Sequence, residues 1–157
     1  MMKNKILALA LSICFAVTAF AGTPVEDLIT EYETAPGAKD FKAAGAAMAL
    51  GRTFLRKHPI APLADDIDEM LILRMQKTSP EVQEHFVADL MEVMKDYEYF
   101  GKQETRQGIV DVYYLLGEDQ IVHELIVYNP NIYALNCLRG NMDPVDLMKI
   151  HKPVKDK

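Results

Sequence analysis

Residues 108–140 carry three runs rich in Val, Ile, Leu and Tyr, separated by two short turns that hold Gly, Asp, Asn and Pro. Such runs favour a pleated, half-buried surface and predict strands, and the residues between them favour turns. The predicted strands are Ile109–Leu116, Ile121–Tyr128 and Ile132–Arg139. Because a parallel return needs a crossover of about a dozen residues, these strands must be antiparallel neighbours.

The clearest predicted helix precedes these strands. Ser79 can cap it, and Pro80 suits its first position, where the missing N–H costs nothing. Apolar residues then recur at helical spacing, at Val82, Phe86, Val87, Leu90, Met91 and Met94. A stripe of this kind needs a partner surface, so we expect the helix to pack on the sheet.

The remaining elements are weaker. We predict strands at Met70–Met75 and Tyr97–Thr105, a final helix capped by Asp143, and N-terminal helices after Thr23 and over Ala38–Lys57. From residue 70 the order is β-α-β-β-β-β-α. This order predicts an α+β, two-layer sandwich with an antiparallel sheet of about five strands, helices mainly on one face, and two N-terminal helices before it. Both faces of the central strands are partly apolar, so the second face should be partly covered by a segment or a partner.

Residues 1–21 have the pattern of a secretory signal peptide. A basic start is followed by an apolar run from Ile6 to Phe20 and by the small-x-small site Ala19-Phe20-Ala21. The rival is lipid attachment at Cys14, but Ile13 is larger than the residue that such a site requires before its cysteine. We therefore predict a periplasmic or otherwise exported single domain, 22–157, that is not transmembrane after cleavage.

Loss of Lys3 and Lys5 with the signal changes the formal net charge from −6 to −8. An acidic domain without a basic cluster argues against binding to nucleic acid and to anionic membranes. Only Cys137 remains after cleavage, so no internal disulfide can form. We interpret Cys137 as a small apolar residue within a strand.

Neither a catalytic constellation nor a metal or cofactor site is predicted. The four histidines share no ligand spacing, and no nucleophile elbow, P-loop or dinucleotide fingerprint occurs. His123 and Glu124 are adjacent in one predicted strand, so they face opposite sides and cannot act together on one substrate. We expect one of the pair to face solvent and the other to lie at the rim. The chain is therefore predicted not to be an enzyme.

The segment VDVYYLLGEDQIVHELIVYNPNIYALNCLRGNMDPVDLMKI, residues 110–150, resembles the C-terminal part of the bacterial domain of unknown function 4252 family. The resemblance implies an exported single domain and a link to envelope stress or regulation, and it brings no activity. Two departures stand out. The family often has an apolar strand where this chain has the Ala-rich Ala38–Met48, which leaves a sixth strand open, and Asn136 stands where a buried aliphatic is expected.

Two functional hypotheses follow. In the first, the domain binds a protein partner through the sheet face that its helices leave uncovered, with Tyr97 and Tyr99 of the polar strand as the candidate contacts. In the second, it carries an apolar small molecule or lipid in a pocket between the Val82–Met94 helix and the sheet, lined by adaptable Met side chains. A flat tyrosine-bearing face favours the first hypothesis, and a pocket under the helix favours the second.

Overall fold

The structure, a computed structural model, describes residues 22–150, so the predicted signal peptide and the tail at 151–157 lie outside the described residues. The helices are α1 (Pro24–Tyr32), α2 (Met48–Leu55), α3 (Pro80–Val93) and α4 (Pro144–Lys149). The strands are β1 (Lys39–Ala44), β2 (Ile67–Arg74), β3 (Glu98–Thr105), β4 (Gly108–Leu116), β5 (Val122–Asn129) and β6 (Ala134–Met142). Within residues 22–150, none of the helices combines the length and the apolar character that crossing a bilayer requires.

Three of the helices begin where side-chain oxygens cap them, as the sequence predicts. Thr23, Ser79 and Asp143 each accept a hydrogen bond from a backbone N–H in the first turn, and a proline follows each of them. The cap satisfies a donor that the helix itself leaves unpaired, and the proline presents none. Local sequence therefore determines where these helices start.

All six strands join one antiparallel sheet in the order β1-β2-β6-β5-β4-β3. The α+β class and the antiparallel sheet are confirmed. Strands β3 to β6 form a meander of hairpins, and β2 lies beside β6 with β1 outside it. The two edges of the sheet are therefore β1 and β3.

β1 is the extra strand that the sequence left open. The second N-terminal helix is present, but it begins at Met48 rather than Ala38, because residues 39–44 pair with β2 in six consecutive positions. This pairing supplies backbone hydrogen bonds from outside the segment and overrides the helix propensity of an Ala-rich run. Gly45, at a φ of 57°, then separates the strand from the helix.

The first core lies between the sheet and helices α1 and α3, and we call this side the α1/α3 face. Its helical residues are Val25, Leu28, Ile29, Tyr32, Phe86, Leu90 and Met94. Its sheet residues are Leu71, Leu73, Ile126, Tyr128, Leu135 and Cys137. Phe86 is fully buried, and its ring packs edge-on against Tyr32, with centroids 5.3 Å apart. Cys137 is also buried, as predicted.

The opposite side, the α2/α4 face, has a second core. There Met48, Leu55, Leu63 and Leu147 cover sheet residues such as Met70, Leu125 and Leu138. The expectation of helices mainly on one face therefore holds for the two longer helices only. The reason is that both faces of β2, β5 and β6 are apolar, so the shorter helices and the 3₁₀ helix Ala61–Asp66 cover the second face as well.

Candidate functional site

The structure separates the two tyrosines that the sequence put forward as a contact surface. Tyr97 is 7% exposed and belongs to the core of the α1/α3 face, where its hydroxyl donates a hydrogen bond to the carboxylate of Glu124. Tyr99 lies on the edge strand β3 and is 52% exposed. Tyr97 therefore belongs to the interior, and only Tyr99 can contact a partner directly.

Tyr99 is part of a compact group on the outer two strands, which we call the outer tyrosine patch: Tyr99, Lys102, Asp111 and Tyr113. The rings of Tyr99 and Tyr113 lie with centroids 5.0 Å apart at an interplanar angle of 59°. Asp111 Oδ1 accepts from the Tyr99 hydroxyl at 3.0 Å and from Lys102 Nζ at 2.8 Å. The carboxylate thus fixes an aromatic ring and an ammonium group side by side.

Strand register explains this arrangement. Tyr99 is opposite Tyr113, and Lys102 is opposite Asp111, in the β3–β4 ladder. The pairs differ in sequence spacing because a β-bulge interrupts the ladder between Tyr99 and Gly101. Cross-strand aromatic pairs and opposite charges each stabilise a sheet by roughly 0.2–1 kcal/mol. The bulge therefore allows both favourable pairs to form on the same face.

The patch is open because the helices of the α1/α3 face stop short of it. The fully buried sheet residues of that face lie on β2, β5 and β6, whereas Tyr113 and Leu115 of β4 are only partly buried. Ile109, on the same face of β4 by alternation, is exposed. The hydrogen bond to Asp111 raises the pKa of Lys102, so the patch keeps a positive charge beside its rings.

A second group, which the sequence did not indicate, lies at one end of the same face. Arg139 Nη1 is 2.8 Å from Glu26 Oε2 and 3.3 Å from Glu69 Oε2, and Arg139 Nε is 3.6 Å from Glu124 Oε2. Lys42 Nζ contacts the other oxygen of Glu69 at 3.0 Å. We call these five residues the Arg139 cluster.

Register across four strands builds this cluster. Glu69, Arg139 and Glu124 are successive partners across β2, β6 and β5, and Lys42 comes from β1, two residues from Ala44, the partner of Glu69. Irregularities in the ladders flank Arg139 on both sides, and bulges of this kind re-aim side chains. Helix α1 then brings Glu26 over the guanidinium. The three carboxylates come from elements that are distant in sequence, so no local motif marks them.

The chemistry of the Arg139 cluster is that of a structural ion network. Glu124 is 1% exposed; Arg139 supplies its counter-charge and Tyr97 donates a hydrogen bond to Oε1, while Oε2 has no hydrogen-bond partner among residues 22–150. Burial, followed by the charge of Glu124, raises the pKa of the Tyr97 hydroxyl, so Tyr97 stays a donor. Burial also raises the pKa of the neighbouring Cys137 thiol, which keeps it protonated and unreactive.

The pair His123 and Glu124 separates as expected, with one difference. His123 faces outwards, and its Nε2 lies 2.9 Å from Asp119 Oδ2 in the β4–β5 turn. Glu124 is in the core rather than at the rim. The hydrogen bond from the backbone N–H of Ile121 is the main cause that lowers the pKa of Asp119, and His123 adds to it. Asp119 and His123 therefore stabilise the local structure of the β4–β5 turn.

The volume beneath α3 is filled. Phe86 and Leu90 are fully buried against the sheet, and the Phe86 ring also meets Tyr128, with centroids 6.3 Å apart. A cleft of about 270 Å³ lies instead between α1 and β1, and its lining is Glu26, Ile29, Thr30, Glu33, Asp40, Phe41, Lys42 and Leu71. Most of these side chains are polar or charged. Sites for apolar ligands are lined mainly by apolar and aromatic groups.

Among the residues that the structure describes, no group of His, Cys, Asp and Glu has an arrangement that could hold a metal ion. Comparison with protein-family models, with curated proteins and with solved structures finds no match to this chain.

Proposed function

We propose that the mature chain is an exported, non-catalytic binding module that contacts a protein partner through the outer tyrosine patch. The observation that supports this function is the exposed Tyr99 ring, held against Tyr113 and beside the Lys102–Asp111 pair on an uncovered part of the sheet. Tyr is enriched at protein interfaces because its ring is large and stiff and its hydroxyl can bond to the partner. Fixing the rings in advance lowers the entropy lost on binding.

The non-catalytic part of the proposal is supported by the surroundings of the buried ionisable groups. In the Arg139 cluster each carboxylate faces the same guanidinium, which is the arrangement of a structural network. Membership of the domain of unknown function 4252 family, and with it a link to envelope stress or regulation, stays a prediction that rests on residues 110–150.

Export is supported by the pattern of residues 1–21 and can be tested by mass. We expect the protein purified from its native envelope to have the intact mass of a chain that begins at Gly22 and carries no lipid. A product acylated at Cys14 would contradict both the predicted cleavage site and a soluble periplasmic location.

The carrier hypothesis requires a pocket between α3 and the sheet, and that space is occupied by Phe86 and Leu90. The α1–β1 cleft is acidic, with Glu26, Glu33 and Asp40 against Lys42. This lining suits a cation better than an apolar ligand. We therefore carry forward the partner-binding function alone.

The partner-binding function is tested by two variants with similar expected stability. Tyr99→Ala removes the exposed ring, and Met148→Ala removes an exposed side chain from α4, which packs on the opposite face. Proteins that co-purify with the wild-type chain from the envelope are identified, and the purified partner is titrated by calorimetry. We expect Tyr99→Ala to weaken binding about fivefold or more, which corresponds to about 1 kcal/mol, and Met148→Ala to leave it unchanged.

Two results would contradict this function. One is a partner whose affinity is the same for the wild type and Tyr99→Ala. The other is an equal loss of affinity in Tyr99→Ala and Met148→Ala, which would indicate a general effect of surface truncation and not a contact at the patch.

A further inference from the structure

The two edges of the sheet differ in regularity. At one edge, the β3–β4 ladder is interrupted by the bulge between Tyr99 and Gly101. At the other edge, β1 pairs with β2 over six consecutive residues with no shift. A bulge twists an edge away from further pairing, whereas a regular edge strand presents a row of unpaired N–H and C=O groups. Among residues 22–150 no strand lies outside β1, so its outer edge is available.

The sequence of β1 is complementary to itself in the antiparallel direction. Lys39–Ala44 reads KDFKAA. If two copies pair antiparallel about Phe41, Phe41 faces its own copy, and Asp40 faces Lys42 of the second copy on either side. The Asp40–Lys42 pair thus occurs twice in one symmetric interface, and a two-fold interface requires such self-complementarity.

The faces of the strand agree with this pairing. Asp40 and Lys42 are opposite Leu73 and Leu71, which belong to the core of the α1/α3 face, whereas Ala43 packs into the core of the α2/α4 face. By alternation Phe41 lies on the same face as Ala43, where it is 53% exposed. A two-fold axis perpendicular to the sheet joins like faces. It therefore places the two charge pairs on one side of the new sheet and the two Phe41 rings on the other.

Charge at the α1–β1 cleft favours an incoming ammonium group. Glu33 and Asp40 line it together with one base, Lys42, and with Glu26, which already pairs with Arg139. Lys42 Nζ is already 3.0 Å from Glu69, whereas Asp40 has no ion pair within the described part of the chain. An ammonium group has three donors, so Lys42 can keep Glu69 and reach Asp40 of the second copy.

Three of the nine large, exposed apolar side chains of the described residues lie on β1 and on the neighbouring helix α2. Phe41 lies on β1, and Leu50 and Phe54, 81% and 54% exposed, lie on α2, the helix that contacts β1 and β2. Large exposed apolar groups near one edge are a mark of an interaction surface.

We propose that two copies of this chain associate through β1, antiparallel about Phe41, so that their six-stranded sheets become one continuous sheet. Asp40 of each copy pairs with Lys42 of the other, and the Phe41 rings meet across the axis. The occupant of this edge is a second copy of the chain, because β1 supplies both members of each charge pair.

The test is a set of charge exchanges in the chain from Gly22 to Lys157, followed by sedimentation equilibrium over a range of protein concentrations. We expect the wild type to show a monomer–dimer equilibrium. Asp40→Lys and Lys42→Asp each turn both cross-strand attractions into repulsions, and each should raise the dimer Kd tenfold or more. The double exchange D40K/K42D restores opposite charges in both cross-strand pairs and should return the Kd to within about threefold of the wild type.

Three further samples fix the register, exclude unfolding as the cause and separate this interface from the outer tyrosine patch. Lys39→Asp changes the net charge as Lys42→Asp does, but in this register residue 39 faces Ala43, so the dimer should be unaffected. An equimolar mixture of D40K and K42D should form a heterodimer, because the two proteins then present opposite charges. Tyr99→Ala lies on the far edge and should leave the dimer intact, which separates this interface from the partner-binding patch.

The proposal is overturned by a wild-type chain that stays monomeric at every concentration. It is also overturned if D40K dimerises as the wild type does, or if neither the double exchange nor the mixture restores association. Should Lys42→Asp unfold beside Glu69, Phe41→Arg replaces it. That change places like charges across the axis at an exposed position and should also raise the Kd tenfold or more.

Discussion

Tyr97→Phe removes a single hydroxyl, which donates to Glu124 in the interior. The change leaves a buried carboxylate oxygen without its donor, so we expect the free energy of unfolding to fall by about 1–3 kcal/mol. The same change at Tyr99 removes a hydroxyl from a half-exposed residue, and there we expect less than about 0.5 kcal/mol. Urea unfolding of both variants measures the difference. Equal losses would mean that the carboxylate of Glu124 has another donor in solution.

The hydroxyl of Tyr128 is in the opposite situation. It is buried with no hydrogen-bond partner among residues 22–150. An unpaired buried hydroxyl costs free energy, so Tyr128→Phe should be as stable as the wild type or more stable at neutral pH. A wild type that is more stable than Tyr128→Phe at pH 7 would show that a partner for this hydroxyl exists in solution.

Alkaline pH should increase the stability of Tyr128→Phe relative to the wild type. Burial raises the pKa of Tyr128 from 10.0 to about 12 in the folded chain. Between these two values the unfolded chain loses its proton first, so this group leaves the free energy of unfolding independent of pH below 10 and lowers it as the pH rises towards 12. Two pH units correspond to on the order of 2–3 kcal/mol. Urea unfolding of wild type and Tyr128→Phe near both pH limits should therefore show the smaller loss in the variant.

At the scale of the element, α3 stabilises the α1/α3 face. Phe86→Ala or Leu90→Ala leaves a cavity at a fully buried position and should lower the free energy of unfolding by about 2–5 kcal/mol. Met91→Ala, on the exposed side of the same helix, is the matched control and should cost less than about 1 kcal/mol. Chemical denaturation of all three variants measures these free energies of unfolding. A cost at Met91 equal to that at Phe86 would place the packed side of α3 elsewhere.

The elements that the sequence predicts well are those with local causes. The caps at Ser79 and Asp143 and the hairpin turns between β4, β5 and β6 are encoded by neighbouring residues. β1 is the contrary case. Its Ala-rich sequence favours a helix, and its strand conformation depends on a partner, β2, that lies beyond α2 in the chain. The hydrophobic periodicity of a single sequence does not show which strands pair with each other.

The same limit applies to the candidate sites. The Tyr-rich composition of the predicted strand Tyr97–Thr105 indicated both Tyr97 and Tyr99. Residues two apart share a face of a strand, but the burial of each depends on where a helix ends. The Arg139 cluster could not be predicted from the sequence. Glu69, Arg139 and Glu124 align only through the β2–β6 register and its bulges. A charged residue among apolar neighbours in each strand was the only available signal.

At the scale of the whole molecule, Cys137 reports on opening of the domain. It is the single thiol of the chain that begins at Gly22, and it is fully buried between β2 and β5 in the sheet. We expect a thiol reagent to label it slowly in the native protein and rapidly in denaturant, because access requires the cores to separate. Variants weakened at Phe86 should label faster, with the logarithm of the labelling rate rising in proportion to the lost stability. Rapid labelling of the native wild type would contradict the burial of β6.

The pairing of β2 with β6 also sets a delay during synthesis. Glu69 and Arg139 meet across this ladder although they are 70 residues apart in the chain. At roughly 5–20 residues per second, about 4 to 14 s pass between the appearance of these two residues. The hairpins from β3 to β6 need only near neighbours and can form as they emerge. β2, with its run MLIL, has no inner partner during that interval, so a growing chain must keep an apolar strand edge covered until its last strand arrives.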